Sequence, residues 1–205
     1  MNIRILLLAA CLPALAAIAC TPVGVAIGGG AVVARSVAEE RTTMAALEDS
    51  EIELSISNAL LNHSYELFSD VSVTVTEGRV LLTGSVPKRE HKVDATRIAW
   101  ETERVTSVED ELTIGEDRSA GTYLRDVRIS NTLRIELLAD VEVSLVNYNI
   151  ETIEGVVHLS GLAKSKEELD RVIRHAQGIS GVKRVVSHVL TIDDPRRVTA
   201  VANSG

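Results

Sequence analysis

Ile52, Ile56, Ala59 and Leu60 fall at spacings of three and four, one face of a helix, with Asp49 or Ser50 placed to cap it. Val71, Val73 and Val75 then alternate with Ser72 and Thr74, which predicts a strand with one buried face. Glu77-Gly78 marks a tight hairpin turn, where glycine supplies the positive φ. Residues 79–83 form the returning strand, ended by Gly84. A polar-rich helix is expected over 87–103, with Val93, Ile98 and Ala99 inward, followed by a strand carrying Val108, Leu112 and Ile114. The same order then returns: a helix over 122–138 with Val127, Ile129 and Leu133 inward, a strand over 149–153, a turn at Glu154-Gly155 and a strand over 156–159. A helix over 165–177 and a strand over 182–192 complete the second round. Ser165 with Glu168 fits a capping box, and Gly178 suits the helix end.

The repetition is one of residues as well as of pattern. Glu77-Gly78-Arg79-Val80-Leu81-Leu82-Thr83-Gly84 recurs as Glu154-Gly155-Val156-Val157-His158-Leu159-Ser160-Gly161, 77 residues on. Val105, Val108 and Leu112 map onto Val182, Val185 and Val189 at the same offset. Upstream, Ile56-Ser57-Asn58-Ala59-Leu60 recurs as Ile129-Ser130-Asn131-Thr132-Leu133 at an offset of 73. Three matched blocks in one order indicate a duplication. The fold class is therefore α+β: two tandem αββαβ modules, each a small three-stranded sheet with two helices on one face. The modules are expected at 46–117 and 118–193, with a disordered tail over 194–205.

The start of the chain reads as an address. Arg4 precedes an apolar run from Ile5 to Ala19, the form of a secretory signal. Ala17-Ile18-Ala19-Cys20 resembles a lipobox, departing from it at Ala17, so 1–19 is expected to be removed and Cys20 to carry the lipids. Leu8-Ala9-Ala10-Cys11 matches by letters but leaves a signal of only ten residues. Two alternatives stay open: Ala17-Ile18-Ala19 is also an ordinary signal-peptidase site, and the apolar stretch to Ala34 is long enough for an uncleaved membrane helix. Residues 20–45, rich in Gly, Val and Ala at their start, are expected to form a tether. With cleavage at Cys20, neither cysteine remains for a disulfide or a thiol metal site.

Gly78-Arg79-Val80-Leu81-Leu82-Thr83-Gly84, its counterpart from Gly155 to Gly161, and Gly181-Val182-Lys183-Arg184-Val185 closing the second copy are similar to the signature of the BON domain. The first copy departs from it by having Ser107 and Glu103-Arg104 where the glycine and its neighbours would be. With a lipoprotein signal and a small-residue tether, the whole resembles the tandem-BON lipoproteins of Gram-negative outer membranes.

Aromatic residues make up only 2% of the chain, so Val, Leu, Ile and Ala must build the core. The net charge of −8 argues against a nucleic-acid binder. Residues 46–117 hold sixteen Asp and Glu against six Lys and Arg, a balance of −10, whereas residues 119–192 hold nine of each. Only the second module approaches an anionic surface without strong repulsion.

No enzyme is legible. The histidines 63, 91, 158, 175 and 188 form no helical ligand pair, and no Ser sits in a Gly-x-Ser-x-Gly elbow. His158 and His188 lie on strands of one sheet and are possible neighbours, but read as ordinary surface or satisfied histidines. Glu109-Asp110-Glu111 alternates faces along a strand and does not converge on one ion. No metal or cofactor is expected.

The resemblance implies binding of anionic phospholipid by the second module, through its first helix. On this sequence the implied residues are Tyr123, Leu124, Arg125, Arg128, Arg134, Leu137 and Leu138, which combine an aromatic, leucines and interspersed arginines. A plainer reading puts Leu124, Ile129, Leu133 and Leu137 in the core with the arginines outside. Lys164, Lys166, Arg171, Arg174, Lys183 and Arg184 form a secondary basic set. The expected protein is lipid-anchored in the outer membrane, facing the periplasm, and supports membrane integrity; the alternative is an adaptor or chaperone-like partner of envelope assembly machinery. The acidic first module is expected to pack against the second or against an envelope protein.

Overall fold

The computed structural model describes residues 32–115 and 119–197, so the signal, Cys20 and most of the expected tether lie outside the described residues. Residues 39–205 make one compact unit that contains both modules. The first consists of α1 (Val32–His63), α2 (Tyr65–Asp70), β1 (Val71–Thr76), β2 (Arg79–Val86), α3 (Arg89–Trp100) and β3 (Ser107–Ile114). The second consists of α4 (Ala120–Ala139), a 3₁₀ turn at Leu145–Asn147, β4 (Tyr148–Ile153), β5 (Val156–Ala163), α5 (Lys166–Gly178), β6 (Arg184–Ser187) and β7 (Leu190–Thr191). In each sheet the second strand is central, antiparallel to the first and parallel to the third.

The duplication holds at a constant offset of 77, including the first helices. Ile52, Ile56 and Leu60 of α1 are buried, and so are Ile129, Leu133 and Leu137 of α4. The upstream match at 73 is therefore displaced by four residues, about one helical turn, which preserves the face and disguises the slip. The hairpins confirm the corrected register. Asp49 is not a helix cap; its carboxylate accepts hydrogen bonds from Glu77 N (2.8 Å) and Gly78 N (2.9 Å). Asp126 does the same for Glu154 N and Gly155 N, both at 2.8 Å. In each turn both residues have positive φ, which turns their N–H groups toward the helix.

Several expectations need correction. Helix α1 begins at Val32, within the stretch expected to be a tether, because 32–47 contains no Gly or Pro and is rich in Ala, Arg and Glu. Val93 and Val127 are exposed rather than inward, since the stripes Ala95-Ile98-Ala99 and Ile129-Leu133-Leu137 fix the buried faces of α3 and α4. The last strand of the second module is broken at His188-Val189, where Val189 turns into the core and His188 N–H bonds Leu159 O at 2.8 Å. Ser165 caps α5 as expected, accepting from Glu168 N. The buried Glu168 carboxylate, however, reaches Lys164 N and Ser144 N, both at 2.7 Å, and so ties two loops together. Residues 195–197 of the expected tail are helical, and Arg197 pairs with Glu77 at 2.5 Å; residues 198–205 lie outside the described residues.

Leu82 and Val86 point to the helices, so Leu81, Thr83 and Ser85 point the other way; they are nevertheless buried, as are His158 and Ser160 of β5. The outer faces of the two sheets cover one another. Strand β1 meets β5 and β2 meets β4, contacts that exchange with each other when the modules are exchanged. This is the pattern of a two-fold pairing within one chain. The acidic first module thus packs against the second.

Candidate functional site

Two places gather chemistry: the outward face of α4 and the seam between the sheets.

Helix α4 starts at Ser119, whose hydroxyl accepts from Thr122 N at 3.2 Å. It buries Asp126, Ile129, Ser130, Leu133 and Leu137. Opposite that stripe stand Leu124, Ile135 and Leu138, which are 65%, 69% and 76% exposed. Tyr123, Arg125 and Arg128 are exposed beside them, and neither arginine makes an ion pair among the described residues. From 121 to 135 the only acidic residue is the inward Asp126. Beyond the helix, Val141 and Val146 stand almost wholly in solvent.

The structure divides the expected lipid residues. Tyr123, Leu124, Arg125, Arg128 and Leu138 share the outer surface of α4. Leu137 does not: it is fully buried, because it lies in phase with Ile129 and Leu133. Arg134 turns back along β4, donating to Ile150 O at 2.6 Å and to Asn131 Oδ1 at 3.3 Å. Ile135 belongs to the surface and was not expected; its signal in the sequence is that it falls out of phase with the buried stripe.

Two of the six residues of the secondary basic set are ion-paired among the described residues. Lys166 pairs with Asp170 at 2.5 Å, Arg171 with Glu142 and Asp140, and Lys164 bonds the Ser144 hydroxyl. His175 lies 3.0 Å from Asp140 and 3.3 Å from Glu136, tying the end of α4 to α5. The hydrogen bond from His175 holds the Asp140 carboxyl below its usual range, with the Glu142 backbone N–H adding to it.

At the seam, Glu111 of β3 meets His188, the residue at the same position of the second repeat, at 3.0 Å. His158 of β5 completes a group whose candidate ligand atoms all lie within 4.8 Å of one another. Thr83 donates to Glu151 alongside, and Arg79 donates to His188 O at 3.3 Å. Burial pushes the His158 imidazole down from its ordinary range, against the pull of Glu111.

The BON domain profile matches residues 48–116 and 125–193. A protein of Anaplasma centrale, described only by its place in the gshII 5′ region, is 36% identical over 144 residues, covering 70% of this chain and 94% of its own. Osmotically-inducible protein Y of Escherichia coli is 32% identical over 147 residues, 71% of this chain and 73% of its own. The outer membrane lipoprotein DolP of Haemophilus influenzae is 30% identical over 165 residues, 80% of this chain and 85% of its own.

Proposed function

The chain belongs to the BON domain family, and from that premise we propose that it is a non-enzymatic envelope lipoprotein whose second domain binds anionic phospholipid through the outward face of α4. The observation that carries this reading is the surface itself: exposed Leu124, Ile135 and Leu138 with Arg125 and Arg128 among them, and no exposed acid from 121 to 135. Such a face presses its aliphatic side chains to the headgroup–acyl boundary while the arginines meet lipid phosphates. The likeness to a protein named as an outer membrane lipoprotein supports Cys20 as the lipidated residue and the outer membrane, facing the periplasm, as the site of action. No helix among the described residues is long and apolar enough to cross a membrane. A lipid anchor at Cys20 and a weak second contact at α4 reinforce each other, because the anchor raises the local concentration of lipid at the domain.

Arg125→Glu with Arg128→Glu is expected to reduce partition onto vesicles containing anionic lipid at least tenfold, since each arginine near such a surface contributes about 1 kcal/mol and reversal turns attraction into repulsion. Co-sedimentation with neutral and anionic vesicles reads this directly; unchanged binding would place the lipid surface elsewhere. Arg134 is left intact in this variant because it supports β4.

A protein-binding role, as adaptor or chaperone-like partner, is favoured by one observation. Leu47, Leu54 and Leu61 repeat every seven residues along α1 and are all exposed, among Glu48, Glu51 and Glu53. That stripe suits a protein groove better than an anionic bilayer.

A further inference from the structure

Covered faces of sheets are ordinarily apolar, yet the seam between these two holds Thr83, Ser85, His158, Ser160, Glu111 and His188. His158 is 4% exposed, and its Nδ1 has no hydrogen-bond partner among the described residues. Burying an imidazole without a partner for its nitrogen is costly, and such a group calls for an explanation. Its neighbours are the Glu111 carboxylate and the His188 ring, brought to it from β3 and from the break between β6 and β7. We propose that Glu111, His158 and His188 form a binding site for a divalent zinc-type ion, with ligands from both domains, that pins the two sheets together.

The donor set is the kind that such ions take. Two imidazoles and one carboxylate give three protein ligands and leave a fourth position for water. Ligand atoms around a tetrahedral zinc stand about 3.4 Å apart, so a group already within 4.8 Å closes by side-chain adjustments of about 1 Å. When His188 ligates through Nε2, its Nδ1 faces Glu109, whose carboxylate is 3.9 Å away, the outer-shell partner that metal-bound histidines regularly have. Glu109 and Glu111 together carry two negative charges to set against the two positive charges of the ion. The ion's effect is mechanical. Because the ligands come from both domains, binding stabilises the packed arrangement over one in which the sheets part.

The test uses the full chain with Cys11→Ser and Cys20→Ser, so that no thiol competes, in detergent and stripped of metal. Titration with zinc sulfate against a chromophoric chelator is expected to give one zinc per chain with a dissociation constant below about 10 μM, and zinc to raise the melting temperature. His188→Ala and Glu111→Gln are each expected to weaken binding at least tenfold, while His175→Ala, remote from the seam beside Glu136 and Asp140, leaves it unchanged. Circular dichroism of the metal-free variants checks that they fold. Both carriers of the test are partly exposed, so the result does not rest on replacing buried His158. The proposal is overturned if zinc does not bind stoichiometrically, if binding survives both seam substitutions, or if His175→Ala abolishes it equally.

Discussion

Gly161→Ala is expected to destabilise the protein by about 4 kcal/mol, the sum of a backbone held where side chains are rarely tolerated and a direct overlap. Gly161 has φ +127°, and a methyl group there runs into the carbonyl oxygen of Asn147, the backbone of the neighbouring strand's start. A backbone carbonyl in a paired strand does not move aside as a flexible side chain does, so the clash persists or the β4–β5 pairing opens. Gly84, the equivalent residue, has φ +135° and meets Asp70 O in the same way, so Gly84→Ala is expected to cost a similar amount. Gly178→Ala is the control: nothing lies within 4 Å of its position, φ is ordinary, and it ends α5, so the change is expected to be neutral or to stabilise by about 0.5–1 kcal/mol. Urea unfolding of the three variants reads the differences as midpoint shifts. A Gly161→Ala protein within about 1 kcal/mol of its parent would contradict the close approach.

The second large effect belongs to Asp126. Its two carboxylate oxygens each accept one backbone N–H of the Glu154-Gly155 turn, and the residue is buried. Asp126→Ala leaves two turn N–H groups without these acceptors and is expected to cost about 3 kcal/mol, because hydrogen bonds to a charged acceptor are among the stronger ones and their loss uncovers buried donors. Asp126→Asn is nearly isosteric yet is expected to cost about 2 kcal/mol, since the amide nitrogen confronts one of the two N–H groups. Asp49 makes the same pair of bonds in a less buried setting, so Asp49→Asn is expected to cost less than Asp126→Asn in the same unfolding assay. Equal costs at the two positions, or none, would show that the clamp does not hold the hairpins.

Asp49 and Asp126 also mark where the sequence could be read and where it could not. Strand alternation, the Glu-Gly turns and the repeated Gly-x-Val-x-Leu-x-Gly signature are local, and they predict the hairpins and the αββαβ order of each module, but neither the short helix α2 nor the break between β6 and β7. A carboxylate on a helix that grips a turn 28 residues away leaves no local trace. It was visible only to a consistent repeat register, and the chance likeness of Ile56-Ser57-Asn58 to Ile129-Ser130-Asn131 drew the helices one turn out of line. A shift of one turn preserves the helix face, which is why Ile129 and Leu133 were rightly expected in the core, whereas Val127 was not. Leu137 obeys the identical three-four spacing and is core for that reason, while Ile135, outside the spacing, is surface. The seam was legible only in part: the sequence placed His158 and His188 on strands of one sheet, but not Glu111 beside them. Which polar strand faces meet depends on how the two copies pair, and Glu111 and His188 become neighbours only because each sits at the same place in its own repeat.

The assignment of lipid binding to one face of α4 is tested most directly by single environment-sensitive fluorophores on cysteines introduced at Leu124, Ile135 or Leu138, compared with Leu54 and Val93 of the first domain, in a background with Cys11→Ser and Cys20→Ser. All five positions are exposed, so labels there do not disturb the core. Vesicles containing anionic lipid are expected to shift the emission of the three α4 labels to the blue and neutral vesicles to shift them little, while the first-domain labels stay in water with both. Labels at Leu54 or Val93 entering the bilayer while those on α4 remain in water would contradict the assignment.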